Sequence, residues 1–162
     1  IDTRANLRRA RDLAKRPLSP EAGKKIRFYL FGIHAHRLYA TDHAPSAEDL
    51  SEARGWYQEA RRLATQHPQA GGRGRNTNRS GFMPIATGLE SPADIDLVYA
   101  AYLVETGRPG EALPMLEELA SGASTGWAGG LSLDLWGSLA VARLSRGDVA
   151  GFEDALSRVD LF

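Results

Sequence analysis

Cysteine is absent from the 162-residue sequence. Its absence excludes disulfides, thiolate metal sites and cysteine nucleophiles, but it leaves the redox compartment open. The β-branched residues that strands prefer are scarce, because only 5 isoleucines and 5 valines stand beside 24 alanines and 20 leucines. We therefore predict an almost wholly helical protein.

Long apolar runs are missing as well. The longest uncharged stretch, residues 119–133, is interrupted by glycines and is shorter than the roughly 20 residues that a membrane-spanning helix needs. We expect no membrane span. Because the sequence begins at Ile1, we expect a processed form or a fragment. Its localisation, cytoplasmic or periplasmic, stays open.

The sequence has no net charge, but that sum hides a division. Residues 1–80 carry 16 basic and 8 acidic side chains, whereas residues 81–162 carry 4 and 12. An asymmetry of this kind bears on partners and association rather than on fold. Either the two halves meet within one molecule, or each faces a different partner.

The length suits one domain, which we divide into basic N-terminal helices over 1–67, a long irregular loop over 68–92 and two repeat-like hairpins over 93–162. Capping residues at Ser19, Ser46 and Ser91, two of them followed by proline, mark helix starts. We predict seven helices, over residues 2–15, 20–40, 46–66, 93–106, 109–121, 131–146 and 148–160. The second, apolar on nearly every face, should be a central element.

The last four helices repeat with an offset of 40 residues, which superposes Ala100 on Ala140, Gly107 on Gly147 and Leu116 on Leu156. The small residues allow two antiparallel helices to approach closely. Each glycine should end its helix in a conformation that other residues resist.

The segments 97–112 and 136–147 resemble the tetratricopeptide repeat family, and residues 50–63 resemble the second helix of a further, degenerate repeat. The spacing of 40 exceeds the family period of about 34 residues, and Phe152 replaces an expected small residue. The fold class that we predict is therefore all-α, with antiparallel helical hairpins stacked as a short tetratricopeptide-like array.

The resemblance implies a non-catalytic scaffold that binds a protein or peptide segment on a concave face. A carboxylate clamp is disfavoured, because Leu97, Ala101, Gly137 and Val141 stand at the clamp positions. The apolar groove either takes a partner or is filled by the protein's own neighbouring helix. The partner contacts that we predict are, in the loop, Arg73, Arg75 and Arg79, and on the concave face, Leu97, Ala101 and Val104.

The basic half supports an alternative, binding of nucleic acid or another polyanion. Arg4, Arg8, Arg11 and Lys15 form one positive stripe on the first helix. No familiar nucleic-acid motif accompanies them, and attraction to an acidic protein or to the acidic half explains the same residues. We therefore favour an acidic protein partner. The oligomeric state stays open.

The histidines do not predict a metal site. His34 and His36 lie on nearly opposite sides of a helix, whereas His36 and His43, with Asp42 beside them, could share one face. We interpret them as surface or partly buried histidines near a helix end.

Catalytic motifs are weak. Residues 122–126 match the Gly-x-Ser-x-Gly pattern around Ser124, but a nucleophile elbow requires a preceding strand. The glycine-rich segment 71–75 lacks the ending of a phosphate-binding loop. We predict no enzyme and no cofactor, with an enzyme of unrecognised type as the second alternative.

Overall fold

The computed structural model describes residues 2–68, 91–122 and 133–159, and all regular structure in these ranges is helical. The all-α prediction is confirmed. The seven helices of the described part are α1 (Thr3–Ala14), α2 (Ala22–Asp42), α3 (Ala47–Gln66), α4 (Pro92–Glu105), α5 (Pro109–Gly122), α6 (Ser138–Leu144) and α7 (Val149–Ser157). A π-helical segment, Leu133–Gly137, leads directly into α6. Nothing in the structure explains why this part of the predicted 131–146 helix is wider than an α-helix.

Two predicted helix starts are confirmed and one is wrong. Ser46 and Ser91 each form a capping box with the acidic residue three positions later, which satisfies backbone N–H groups at the starts of α3 and α4. Ser19 does not cap α2, because that helix begins at Ala22 after Glu21. The Ser19 hydroxyl instead accepts a bond from the Glu21 N–H at 3.3 Å.

The predicted glycine ends are confirmed at both hairpins. Gly107 and Gly147 each have a φ of 76°, in the left-handed region that favours glycine. Beyond them, Arg108 donates its N–H to the Leu103 carbonyl at 2.8 Å, and Asp148 donates to Arg143 at 3.1 Å. The two turns therefore share one geometry at an offset of 40 residues.

The hairpins stack in chain order. α2 packs against α1, α3 and α4; α4 packs against α2, α3, α5 and α6; and α6 packs against α4, α5 and α7. The predicted central position of α2 holds for Ile26, Leu30 and Ile33, which are buried, but Phe31 and Leu38 remain partly exposed. Among the helices described, none is long and apolar enough to cross a membrane.

The basic and acidic halves meet within one molecule. Arg37 of α2 binds Glu105 at 2.6 Å and Asp134 at 3.2 Å, and its side chain is only 15% exposed. On α3, Arg54 pairs with Glu111 and Arg61 pairs with Asp96. The charge division in the sequence is therefore partly neutralised across the contacts between hairpins.

Candidate functional site

The predicted concave face of the first hairpin is filled by the protein itself. Leu97 and Ala101 are buried, at 0% and 1% exposure, and Val104 is half-buried against the core. Their helix, α4, is packed on four other helices. Leu97 and Ala101 are therefore core residues in this structure rather than a surface open to a partner. The remaining predicted contacts, Arg73, Arg75 and Arg79, lie outside the described residues.

The second hairpin presents the corresponding positions to solvent. Val141 is 49% exposed where its equivalent Ala101 is buried, and Leu156 is 50% exposed where Leu116 is fully buried. The cause is the stacking order. α5 packs against both α4 and α6, whereas α7 packs, among the described elements, only against α6 and the π-helical segment. The last hairpin has no hairpin after it in the part of the chain described.

Exposed apolar side chains therefore gather at this end of the array. Of the seven large apolar residues exposed in the described ranges, five lie here, and we call them the C-terminal apolar surface: Leu133, Val141, Leu144, Val149 and Leu156. Val141 and Leu144 are three residues apart on α6, and Val149 and Leu156 are seven apart on α7, so each pair shares one helix face. Groupings of this kind mark interaction sites in soluble proteins.

A second candidate is a buried polar cluster that joins the first three helices. Arg11 of α1 donates to Asp49 at 2.6 Å and to Glu52 at 2.8 Å, and both carboxylates belong to α3. His36 of α2 lies 3.0 Å from the same Glu52 oxygen through its Nε2. We call His36, Asp49, Glu52 and Arg11 the polar cluster.

Burial and hydrogen bonding set the charges of this cluster. Burial lowers the pKa of His36 in spite of the nearby Glu52, which favours a neutral ring that donates from Nε2. Burial would raise the pKa of Asp49, but hydrogen bonds from the Ser46 backbone and from Arg11 outweigh it and hold that pKa below its ordinary value. Asp49 therefore stays an anion that faces the Arg11 cation.

The ligand atoms of His36, Asp49 and Glu52 lie within 4.8 Å of one another, so these three residues could hold a metal ion. No sequence pattern indicates this group, because His36 and Glu52 are 16 residues apart on different helices. The grouping weighed from the sequence, His36 with His43 and Asp42, is used differently. His43 accepts a bond from Arg4 at 2.8 Å, and Asp42 accepts one from Thr3 at 3.3 Å.

The positive stripe on α1 is largely bonded to the protein itself. Arg4 donates to His43, Arg11 belongs to the polar cluster, and Lys15 pairs with Asp12 at 3.3 Å. Arg8 is exposed and forms no ion pair within the described ranges. Polyanion binding by this stripe stays a prediction, and it would have to compete with these bonds.

A shallow groove of about 320 Å³ lies between α3, α4 and α5. In its wall, Asp96 accepts hydrogen bonds from the Tyr57 hydroxyl and the Arg61 guanidinium, each at 2.8 Å. Burial, and then the bond to Asp96, raise the pKa of Tyr57, so the hydroxyl keeps its proton. These side chains satisfy one another and link α3 to α4. Ser124 and the segment 71–75 lie outside the described residues.

Comparisons of the chain with protein-family models, with curated proteins and with solved structures found no match.

Proposed function

We propose that the chain is a non-catalytic interaction module, built as a short tetratricopeptide-like array, that binds the apolar face of an amphipathic helix of a partner protein. The site of binding is the C-terminal apolar surface. The observation that carries the proposal is the exposure of Val141 and Leu156 at positions whose equivalents in the preceding hairpin, Ala101 and Leu116, are buried.

The internal repeat supports a helix as the occupant. The first repeat-like hairpin, α4–α5, has helices stacked on both sides, and these helices cover its apolar residues. A helix with apolar residues at spacings of three and four would cover the second hairpin, α6–α7, in the same way.

The last hairpin also carries charged side chains that pair with one another or with an aromatic ring. Arg143 lies 3.6 Å from Asp154, and the Arg158 guanidinium lies 5.2 Å from the centre of the Trp136 ring. Covering the exposed half of one aliphatic side chain is worth about 1 kcal/mol, so a charge placed on one of them should weaken binding measurably. Arg73, Arg75 and Arg79 remain our proposed contacts for an acidic segment of the same partner.

The test is site-specific photocross-linking in the source cell. A benzophenone amino acid replaces Leu156 or Val141 in the full chain, and mass spectrometry maps the captured segment. We expect an amphipathic helical segment of another protein. The same photoprobe at Leu38, an exposed apolar residue of α2, serves as the matched control and should not capture that segment.

A synthetic peptide of the mapped segment then gives the affinity. Leu156→Glu should weaken binding at least tenfold, whereas Leu38→Glu should leave it unchanged. If the cross-links reach only a second copy of this chain, the surface mediates self-association and does not bind another protein. Absence of a cross-link at both positions, or equal binding by the two Glu variants, would reject the proposal.

A further inference from the structure

The polar cluster has no part in the interface proposed above, which lies on the π-helical segment, α6 and α7. Its donor set is one imidazole and two carboxylates, which suits zinc and related divalent ions. Ligand atoms bound to zinc at about 2.0–2.2 Å in its usual tetrahedral arrangement lie roughly 3.3–3.6 Å apart. The ligand atoms of the three side chains lie within 4.8 Å of one another, so the widest pair would have to close by at most roughly 1.5 Å for all three to share one ion.

Two buried polar atoms in or next to the cluster have no hydrogen-bond partner among the described residues. They are Nδ1 of His36 and the hydroxyl of Tyr102, and both side chains are less than 2% exposed. Buried polar groups are nearly always bonded. Because Nδ1 is free, the His36 ring can carry its proton there and leave Nε2 to a metal ion.

The Tyr102 ring lies beside His36 in the core. Its ring centre lies 6.1 Å from that of His36. Burial, and then the negative charge of Asp49, raise the pKa of Tyr102 to about 12. The hydroxyl therefore keeps its proton and can donate a hydrogen bond.

Arg11 occupies the place that a cation would take. Its guanidinium contacts both carboxylates, yet its side chain is 38% exposed, so it can withdraw into solvent without crossing the core. We propose that His36, Asp49 and Glu52 form a binding site for a divalent transition-metal ion of the zinc class, and that Arg11 closes this site when no metal is bound. Metal binding then breaks the two ion pairs of Arg11, which join α1 to α3. The ion that replaces them is held by residues of α2 and α3.

Cobalt(II) titration of the full chain tests the site, because protein-bound cobalt gives visible absorption bands that report its ligands. Arg11→Met removes the competing cation and should bind one equivalent at least tenfold more tightly than the wild type. Arg8→Met is the matched control, since Arg8 is exposed on the same helix without an ion pair among the described residues. It should bind cobalt as the wild type does.

A second substitution identifies the ligands. Glu52→Gln in the Arg11→Met background should lose at least tenfold in cobalt affinity, and circular dichroism should show that both proteins remain folded. If Arg11→Met does not fold, Glu52→Gln in the wild-type background must still weaken the binding of Zn²⁺ measured by calorimetry. The proposal is overturned if no folded variant binds cobalt or zinc, if Arg11→Met binds no more tightly than the wild type, or if Glu52→Gln changes nothing.

Discussion

Gly32 shows how closely α2 and α3 approach at the scale of a single residue. A Cβ atom built on Gly32 would collide with Cε3 and Cζ3 of the Trp56 ring. That ring is 9% exposed and packs against Phe28 and His36, with ring centres 6.2 and 5.3 Å away. Only a residue without a side chain fits here, although glycine is a poor helix former.

Gly32→Ala should therefore destabilise the protein by about 1–3 kcal/mol, because overpacking outweighs the gain in helix propensity. Gly55→Ala on α3 is the matched control, since nothing lies within 4 Å of its added Cβ. The control should stabilise the protein by about 0.5–1 kcal/mol. Urea unfolding measures both, and equal stabilisation by the two substitutions would show that the Trp56 ring moves aside without cost.

At the scale of the element, the two turns after α4 and α6 keep one geometry, although the hairpins they belong to differ in burial. Gly107 and Gly147 share a φ of 76°, and a Cβ on either would meet nothing within 4 Å. A side chain at either position would therefore destabilise the protein through its backbone conformation and not through crowding by neighbouring atoms.

Gly107→Ala should cost about 1–2 kcal/mol, because an L-residue is strained in the left-handed region. Gly147→Ala should cost a similar amount for the same reason. Gly110→Ala, inside the first turn of α5 and also without a close neighbour, should be neutral or stabilising. Thermal unfolding compares the three proteins. A loss of stability in Gly110→Ala as large as in Gly107→Ala would contradict the conformational explanation.

At the scale of the whole molecule, Arg37 connects the basic half to the acidic half. Its Nε and one terminal nitrogen donate to the two oxygens of Glu105 at 2.9 and 2.6 Å, and the guanidinium also reaches Asp134. Burial alone would lower the pKa of Arg37, but the bonds to Glu105 and Asp134 outweigh it and raise the pKa. The side chain therefore stays charged between α2, α4 and the π-helical segment.

Arg37→Met should destabilise the protein by about 1–2 kcal/mol, between the values for an exposed and for a buried ion pair, because Arg37 is largely buried but Glu105 and Asp134 remain accessible to water. Lys24→Met is the control, since its pair with Glu21 is more than half exposed and should contribute less than about 0.5 kcal/mol. Urea unfolding at low and at 1 M salt measures both. An Arg37→Met effect that vanishes in 1 M salt would show that the pair behaves as an exposed one.

The sequence by itself determined the helices and many of the positions at which they begin and end. The capping boxes at Ser46 and Ser91 and the glycine turns at Gly107 and Gly147 depend on residues a few positions apart, which a local pattern records. The start of α2 is an exception, because its N-cap residue, Glu21, makes no side-chain capping bond, so no local pattern marks the position where the helix begins.

The tertiary structure decided which faces are covered. In the sequence, Leu97 and Val141 are both apolar residues on related helices. Leu97 is buried and Val141 is half exposed, because burial depends on which helices stack against each hairpin. The polar cluster and the Arg37 link likewise join residues from 16 to 97 positions apart. Helical periodicity describes only neighbours within a few turns of one helix. Contacts between residues this far apart in sequence form only when the helices pack, and both candidate sites depend on that packing.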